Sequence, residues 1–406
     1  MLVSDRFELS AAALAVPGVR LATTSAGVRK AGKVDVCLIE IAAGARTAVV
    51  FTRNVFCAAP VTLARSHLRA AATRLLVINS GNANAGTGQR GFEDATAVCT
   101  AAAQALQCPV EAVLPFSTGV IGQRLPAERI VAALPAALAQ LAADHWSAAA
   151  AAIMTTDTFP KCVSAEVHLG QRRYVITGIA KGAGMIKPNM ATMLAFIATD
   201  LPFAQTTLDA LVATLADRSF NRITIDGDTS TNDSCMLIAT GTADPDFGPE
   251  APGYAVACAA LEAVFKALAR AIVQDGEGAT KLVTVAVSGG ISETECLKAA
   301  YAVAESPLVK TALFASDPNW GRILAAVGRS GVEGLRIDEI GISLDDCPII
   351  RGGEPFPGYD EAVAARIMAG KAFTIAVTLG TGPATVEVLT CDFSYDYVKI
   401  NAEYRS

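Results

Sequence analysis

Short apolar runs bounded by glycine, proline or aspartate recur along the chain and alternate with longer stretches in which apolar positions return every three or four residues. The short runs predict strands at VDVCLIEIA (34–42), ARTAVVFTRN (45–54), LLVINSG (75–81), SAEVHLG (164–170), RRYVITGIA (172–180), MLAFIAT (193–199), KLVTVAVSG (281–289) and AFTIAVTLG (372–380). The first two meet at Ala43-Gly44, which predicts a hairpin, and the break at Gly170 predicts a second one. Helical spacing covers 92–107, 127–146, 206–220 and 254–275, and Pro135 is expected to break or kink the second of these. Hairpins outnumber βαβ units, so the expected architecture is α/β of the α+β kind, with antiparallel sheets covered by helices. There is no internal repeat, and TADPDFGPEAPGY (242–254) reads as a loop.

A chain of 406 residues suits two structural units or one large layered domain. A net charge of −6 without Lys/Arg runs argues against a nucleic-acid or anionic-membrane partner. Apolar residues make up 52%, but alanine inflates the figure, and no stretch of about 18 residues is both uncharged and strongly apolar. MLVSDRFELS lacks a basic segment followed by an apolar one, so a cytoplasmic location is expected. None of the ten cysteines forms a CxxC pair and the three histidines (His67, His145, His168) stand apart, so no metal site is expected and the cysteines read as reduced, small apolar residues. The histidines also disfavour a Ser-His-Asp triad. GxGxxG and P-loop patterns are absent, which disfavours a nucleotide cofactor.

The candidate chemistry concentrates in KGAGMIKPNMATMLAFIATD (181–200), a glycine- and proline-broken loop that runs into a buried strand at Thr192. A small-residue/Thr bond at such a junction suits self-cleavage. The Thr192 hydroxyl would attack the Ala191 carbonyl, pass through an ester and leave Thr192 as a new N-terminus. Its α-amine, titrating near ~8, then serves as the base for the hydroxyl. Taken alone, Thr192 reads more readily as an ordinary β-branched strand residue, as most threonines in such runs are.

The wording GAGMIKPNMATML resembles the cleavage segment of the ornithine acetyltransferase family of glutamate N-acetyltransferases, which act in arginine biosynthesis. The resemblance continues in order through NSGNANAGTG (79–88), STGVIG (117–122), IMTTDT (153–158), TIDGDTSTNDS (224–234), DGEGATK (275–281), DPNWGRI (317–323) and YVKINAEYRS (397–406). Gly86 stands where the family often has Cys. The resemblance implies a layered α-β-β-α sandwich similar to N-terminal-nucleophile hydrolases, cleaved into an α piece (1–191) and a β piece (192–406) that assemble as a heterotetramer of two α and two β chains. It implies Thr192 as nucleophile, Thr118 and the Gly119 amide as oxyanion hole, and Thr155, Lys181, Thr192, Glu277, Asn401 and Ser406 as substrate contacts; Thr156 fits the wording of its motif as well as Thr155 does. The implied reaction is ping-pong transfer of acetyl from N2-acetylornithine to glutamate without a cofactor, with acetyl-CoA left open as a second acetyl donor. The Asp-, Asn- and Gly-rich segments at 224–234 and 317–323 lack an EF-hand glutamate and read as turns shaping the site wall. The rival readings are an autoprocessing aminopeptidase or amidase that gives the acyl group to water, and a non-catalytic scaffold in which Thr192 is only a strand residue.

Overall fold

A computed structural model of the chain describes residues 5–10, 12–187, 193–241 and 247–404. The fold divides into two compact units. The first comprises Met1–Gly182, Asn189–Asn221 and Thr229–Ile272, and the second comprises Ala183–Pro188, Arg222–Asp228 and Val273–Ser406.

Two sheets build the first unit. One contains β1 (Arg6–Ser10), β4 (Arg46–Phe51), β7 (Lys161–Leu169), β8 (Arg172–Lys181), β9 (Leu194–Thr199) and β10 (Ser234–Ala239), in the order β1-β7-β8-β9-β10-β4. The other contains β2 (Val19–Thr24), β3 (Val36–Ile41), β5 (Leu75–Asn79) and β6 (Val113–Ser117), in the order β2-β3-β5-β6. The strands read as continuous apolar runs because both faces are covered. In β3, Cys37, Ile39 and Ile41 enter the core between the sheets, while Val36 and Leu38 enter a second core under α2 (Gly88–Leu106) and α3 (Ala127–Leu138). Across the inner core Phe116 meets Phe196 edge-on at 5.0 Å between ring centroids. On the far side of the six-stranded sheet lie α5 (Gln205–Asp217), against β4 and β10, and α6 (Tyr254–Gln274). Gly178 lets α6 approach, since a Cβ there would stand 2.9 Å from both Ile197 and Leu268. The first unit therefore shows the expected α-β-β-α layering. The remaining helices of this unit are α1 (Ala59–Ala70) and α4 (Trp146–Ala152), which brings the buried Trp146 into the inner core.

The second unit carries its own sheet and core. Its strands are β11 (Leu282–Gly290), β12 (Gly341–Leu344), β13 (Cys347–Arg351), β14 (Glu354–Pro355), β15 (Ala372–Thr378) and β16 (Ala384–Cys391), ordered β14-β13-β12-β15-β11-β16. Its helices are α7 (Glu293–Ala304), α8 (Pro307–Ala315), α9 (Trp320–Gly328), α10 (Glu361–Met368) and α11 (Tyr395–Ala402). DPNWGRI begins α9, with Asn319 as its N-cap, and is not a plain turn.

The β7/β8 hairpin forms as expected, turning at Gly170 (φ 59°). The hairpin expected over 34–54 does not form. β3 has β2 on one edge and β5 on the other, so β4 leaves through Gly44 (φ 85°) and pairs with β10 in the other sheet. The sheets are mixed, with parallel pairs at β5/β6, β9/β10 and β11/β15. Pro135 does not end its helix, because it lies in the last turn of α3, where few backbone bonds remain to lose. The helical spacing read through to 146 is instead interrupted where Ala142 exchanges two backbone hydrogen bonds with Leu21 (2.8 and 3.0 Å).

Candidate functional site

In the first unit the site grows from the end of β6. Thr118 N donates to Asn79 O (3.0 Å), and Asn232 Nδ2 donates to Ser117 O (2.9 Å) and Ala83 O (2.7 Å), so the backbone entering Thr118 is held from two elements. Gly119 follows at φ 133°, where a Cβ would lie 2.3 Å from the Gly81 carbonyl carbon and 2.5 Å from Asn82 N. Only glycine fits there, which answers why a TG pair ends the strand.

Thr118 is buried, and its hydroxyl accepts a hydrogen bond from the equally buried Lys181 Nζ at 3.0 Å. A hydroxyl that accepts from an ammonium keeps its own hydrogen to donate elsewhere. A buried lysine needs a countercharge, and Asp157 supplies it. Asp157 Oδ1 accepts from Lys161 Nζ (2.7 Å) and Gly182 N (2.7 Å), and Oδ2 accepts from Thr155 N (3.0 Å). Burial pushes this carboxyl up, but the charges of Lys181 and Lys161 and the hydrogen bonds from Lys161 and Gly182 outweigh it and hold it down at about 2. Asp157 thus ties the half-buried Thr155 loop to the open end of the β7/β8 hairpin, where β7 begins and β8 ends.

A second carboxyl, Asp233, stands at the start of β10. Its Oδ1 accepts from Met193 N (3.1 Å), and Ser234 N donates to Met193 O (3.1 Å), which fixes the beginning of β9 alongside β10. Burial pushes the Asp233 carboxyl well up, with the Met193 N–H and Lys181 opposing. Ala191 and Thr192 lie outside the described residues, as does Ser406.

In the second unit, Glu277 is buried and its Oε2 accepts from Asn401 Nδ2 at 2.8 Å. Asn401 sits in the last turn of α11 and also donates to Tyr397 O (3.0 Å). Glu277 N donates to Ala183 O (2.8 Å), and a Cβ on Gly184 would stand 2.5 Å from the Glu277 carboxyl, so the second glycine of KGAGM makes room for this acid. In the same unit Asp226 accepts from Met185 N (2.5 Å), Ile186 N (2.9 Å) and Asp228 N (3.2 Å), and burial raises it to about 6. Asp226 thus spends both of its oxygens on backbone N–H groups, in keeping with a turn.

The structure brings Thr118, Gly119, Lys181 and the Thr155 loop together in one unit, and Glu277 with Asn401 in the other. It adds three residues that the motifs contain but to which sequence reasoning gave no role: Asp157, Asn232 and Asp233. The signal for Asp157 was an aspartate two residues after Thr155, placed to cap its N–H. Nothing in the sequence marks Asp233 as buried.

The ArgJ family model matches residues 20–406. The arginine biosynthesis bifunctional protein ArgJ of Psychrobacter arcticus is 53% identical over 393 residues, 96% of this chain and 97% of that protein. Its namesake from Methylococcus capsulatus is 51% identical over 392 residues, 96% of each chain. Among solved structures, ArgJ from Bacillus halodurans is 37% identical with a TM-score of 0.47, covering 50% of this chain and 96% of that one. The ornithine acetyltransferase of Mycobacterium tuberculosis, complexed with ornithine, is 35% identical with a TM-score of 0.41, covering 45% of this chain and 98% of that one. With a family match over residues 20–406 and relatives more than half identical across nearly the whole chain, the protein belongs to the ArgJ family.

Proposed function

We propose that the protein is a self-cleaving acetyltransferase of arginine biosynthesis, acting in the cytoplasm, that moves acetyl from N2-acetylornithine to glutamate through an acetyl ester on Thr192. The observation that carries this reading is the Thr118–Gly119 loop, in which a buried hydroxyl polarised by Lys181 adjoins a position that only glycine can occupy. Acyl transfer builds negative charge on the carbonyl oxygen, and donors fixed in advance around that oxygen are commonly the largest catalytic contribution.

The reaction begins with Thr192 Oγ attacking the acetyl carbon, its proton passing to the α-amine freed by cleavage after Ala191. Thr118 Oγ and Gly119 N hold the oxyanion. The collapse expels ornithine, and glutamate then takes the acetyl group by the reverse sequence. Lys181, Thr155, Glu277, Asn401 and Ser406 contact the amino acids. The 1–191 and 192–406 pieces stay together, assembled as two of each.

A denaturing gel and product analysis test this. Two fragments, with the second beginning Thr-Met-Leu-Ala, and N-acetylglutamate formed only when glutamate accompanies N2-acetylornithine, are expected. An intact but active chain removes Thr192 as nucleophile, and acetate released at the same rate without glutamate makes the protein a hydrolase. A parallel arm with acetyl-CoA and glutamate measures whether that donor is used.

A further inference from the structure

The segment that carries Thr118 and Gly119 and the segment beside it, 81–83, are tied by one side chain from a third element. Asn232 is buried, and its Nδ2 donates one hydrogen to Ala83 O (2.7 Å) and the other to Ser117 O (2.9 Å). An amide nitrogen has two hydrogens, so both are committed. Its Oδ1 accepts from Thr231 Oγ1, which fixes which way round the amide sits. The base of this staple is held as well. Asn232 N donates to Ser230 Oγ (3.1 Å), and Asn232 O accepts from Ser234 Oγ (3.2 Å), where β10 opens. β6 belongs to the four-stranded sheet and β10 to the six-stranded one, so Asn232 ties the end of β6 to the other sheet of the unit.

The peptide so held is the one that enters the candidate oxyanion hole. Ser117 O is the carbonyl of the peptide whose nitrogen is Thr118 N, and Thr118 N and Val120 N donate to Asn79 O (3.0 Å) and Gly81 O (3.3 Å). Gly119 N, between them, meets no acceptor among the described residues. A Cβ on Gly119 would stand 2.3 Å from the Gly81 carbonyl carbon, so the two segments have no slack between them. A shift of Ser117 therefore carries Thr118 Oγ and Gly119 N with it. Donors lower a barrier when they are fixed where the charge develops, and a misplacement of about 1 Å is costly. We infer that Asn232 is a positioning residue, which keeps Thr118 Oγ and Gly119 N in the geometry that receives the acetyl carbonyl oxygen as it becomes anionic; this rests on the acetyl-transfer reading above. It acts through the Ser117 and Ala83 carbonyls rather than on the substrate.

Asn232→Ala tests this, with kcat expressed per cleaved chain and the cleaved fraction read from a denaturing gel. It should lower kcat by about 10–100-fold and leave KM for N2-acetylornithine within about threefold, since the oxygen becomes anionic only in the transition state. The losses from Asn232→Ala and Thr118→Ala should not multiply. Both act on one hole, so the double variant should keep at least about threefold more kcat than the product of the single losses allows. A merely structural role would lower the melting temperature and multiply with Thr118→Ala. Wild-type kcat, a loss confined to KM, or fully multiplicative losses overturn the proposal. If Asn232→Ala fails to fold or cleave, Thr231 carries the test. Thr231→Val keeps the shape but removes the hydroxyl that orients the Asn232 amide, and should lower kcat by about threefold or more at unchanged KM, while Thr231→Ser restores it. Wild-type kcat in Thr231→Val, or a serine variant as poor as the valine one, overturns the proposal. Wild-type protein that forms no N-acetylglutamate from N2-acetylornithine and glutamate overturns the acetyl-transfer reading instead, a result that shows before any variant is made.

Discussion

A single buried lysine organises the chemistry of the first unit. Lys181 reaches Thr118 on one side and feels Asp157 and Asp233 on the other. Thr118→Ala removes a candidate oxyanion donor and should lower kcat by on the order of 10²–10³, while Thr118→Ser, which keeps the hydroxyl, should retain much more. Steady-state kinetics decide this, and a near-wild-type kcat for the alanine variant would remove Thr118 from the oxyanion hole. Asp157 makes a different prediction, about stability. Its folded value of about 2 lies below the ordinary 3.8. Its contribution is therefore present above about pH 4 and is lost as pH falls through about 2, amounting to about 2 kcal/mol. Asp157→Ala should abolish that acid-sensitive increment and cost several kcal/mol, on the order of 3–5, because two buried lysines lose their countercharge. Urea midpoints measured between pH 5 and 2 for wild type and variant check both effects. The named motifs made Thr118, Gly119 and Lys181 legible in the sequence. Asp157 and Asp233 were not legible as electrostatic partners, because an aspartate in a polar loop looks the same whether solvated or enclosed, and only the folded chain shows which lysine it meets.

At the scale of elements, residues 184–186 after β8 are held by backbone capture. Asp226 takes the N–H groups of Met185 and Ile186, and Gly184 makes room for the Glu277 carboxyl. Gly184→Ala should force the Glu277–Asn401 pair apart. If both contact substrate as proposed, KM for N2-acetylornithine should rise by about tenfold, the effect of losing one charge-assisted hydrogen bond, with the melting temperature shifted by only a few degrees. An unchanged KM would separate this pair from the substrate. The β7/β8 hairpin and α6 were readable because their patterns are local, a tight turn at Gly170 and an unbroken helical stripe. The 34–54 hairpin was misread for the opposite reason. Two apolar strands joined by Ala43-Gly44 look alike whether they pair with each other or part into separate sheets, and the choice is made by β2 and β5, which occupy both edges of β3. The parallel pairing of β9 with β10 was equally hidden, since its partners lie 40 residues apart in the register Leu194↔Ser234.

For the whole molecule, the expected cleavage boundary and the compact units do not coincide. β9 and β10 follow residue 192 yet lie in one sheet with β1, β4, β7 and β8, which precede it. Wild-type protein should therefore elute as one species on gel filtration while giving two bands on a denaturing gel, and fragments that separate in native buffer would contradict this. If one pocket serves both amino acids, double-reciprocal plots at several glutamate concentrations should be parallel; intersecting lines would demand a ternary complex. The interior place of β9 and β10 also bears on how the protein must be made. Without them, a 1–191 polypeptide would expose the apolar edges of β8 and β4 across a gap two strands wide, a template for adhesion to any extended chain nearby. Two genes encoding the pieces separately should yield insoluble material when expressed singly and recover solubility only when translated together, so the covalent link serves delivery of the strands and the sheet, once closed, no longer depends on it.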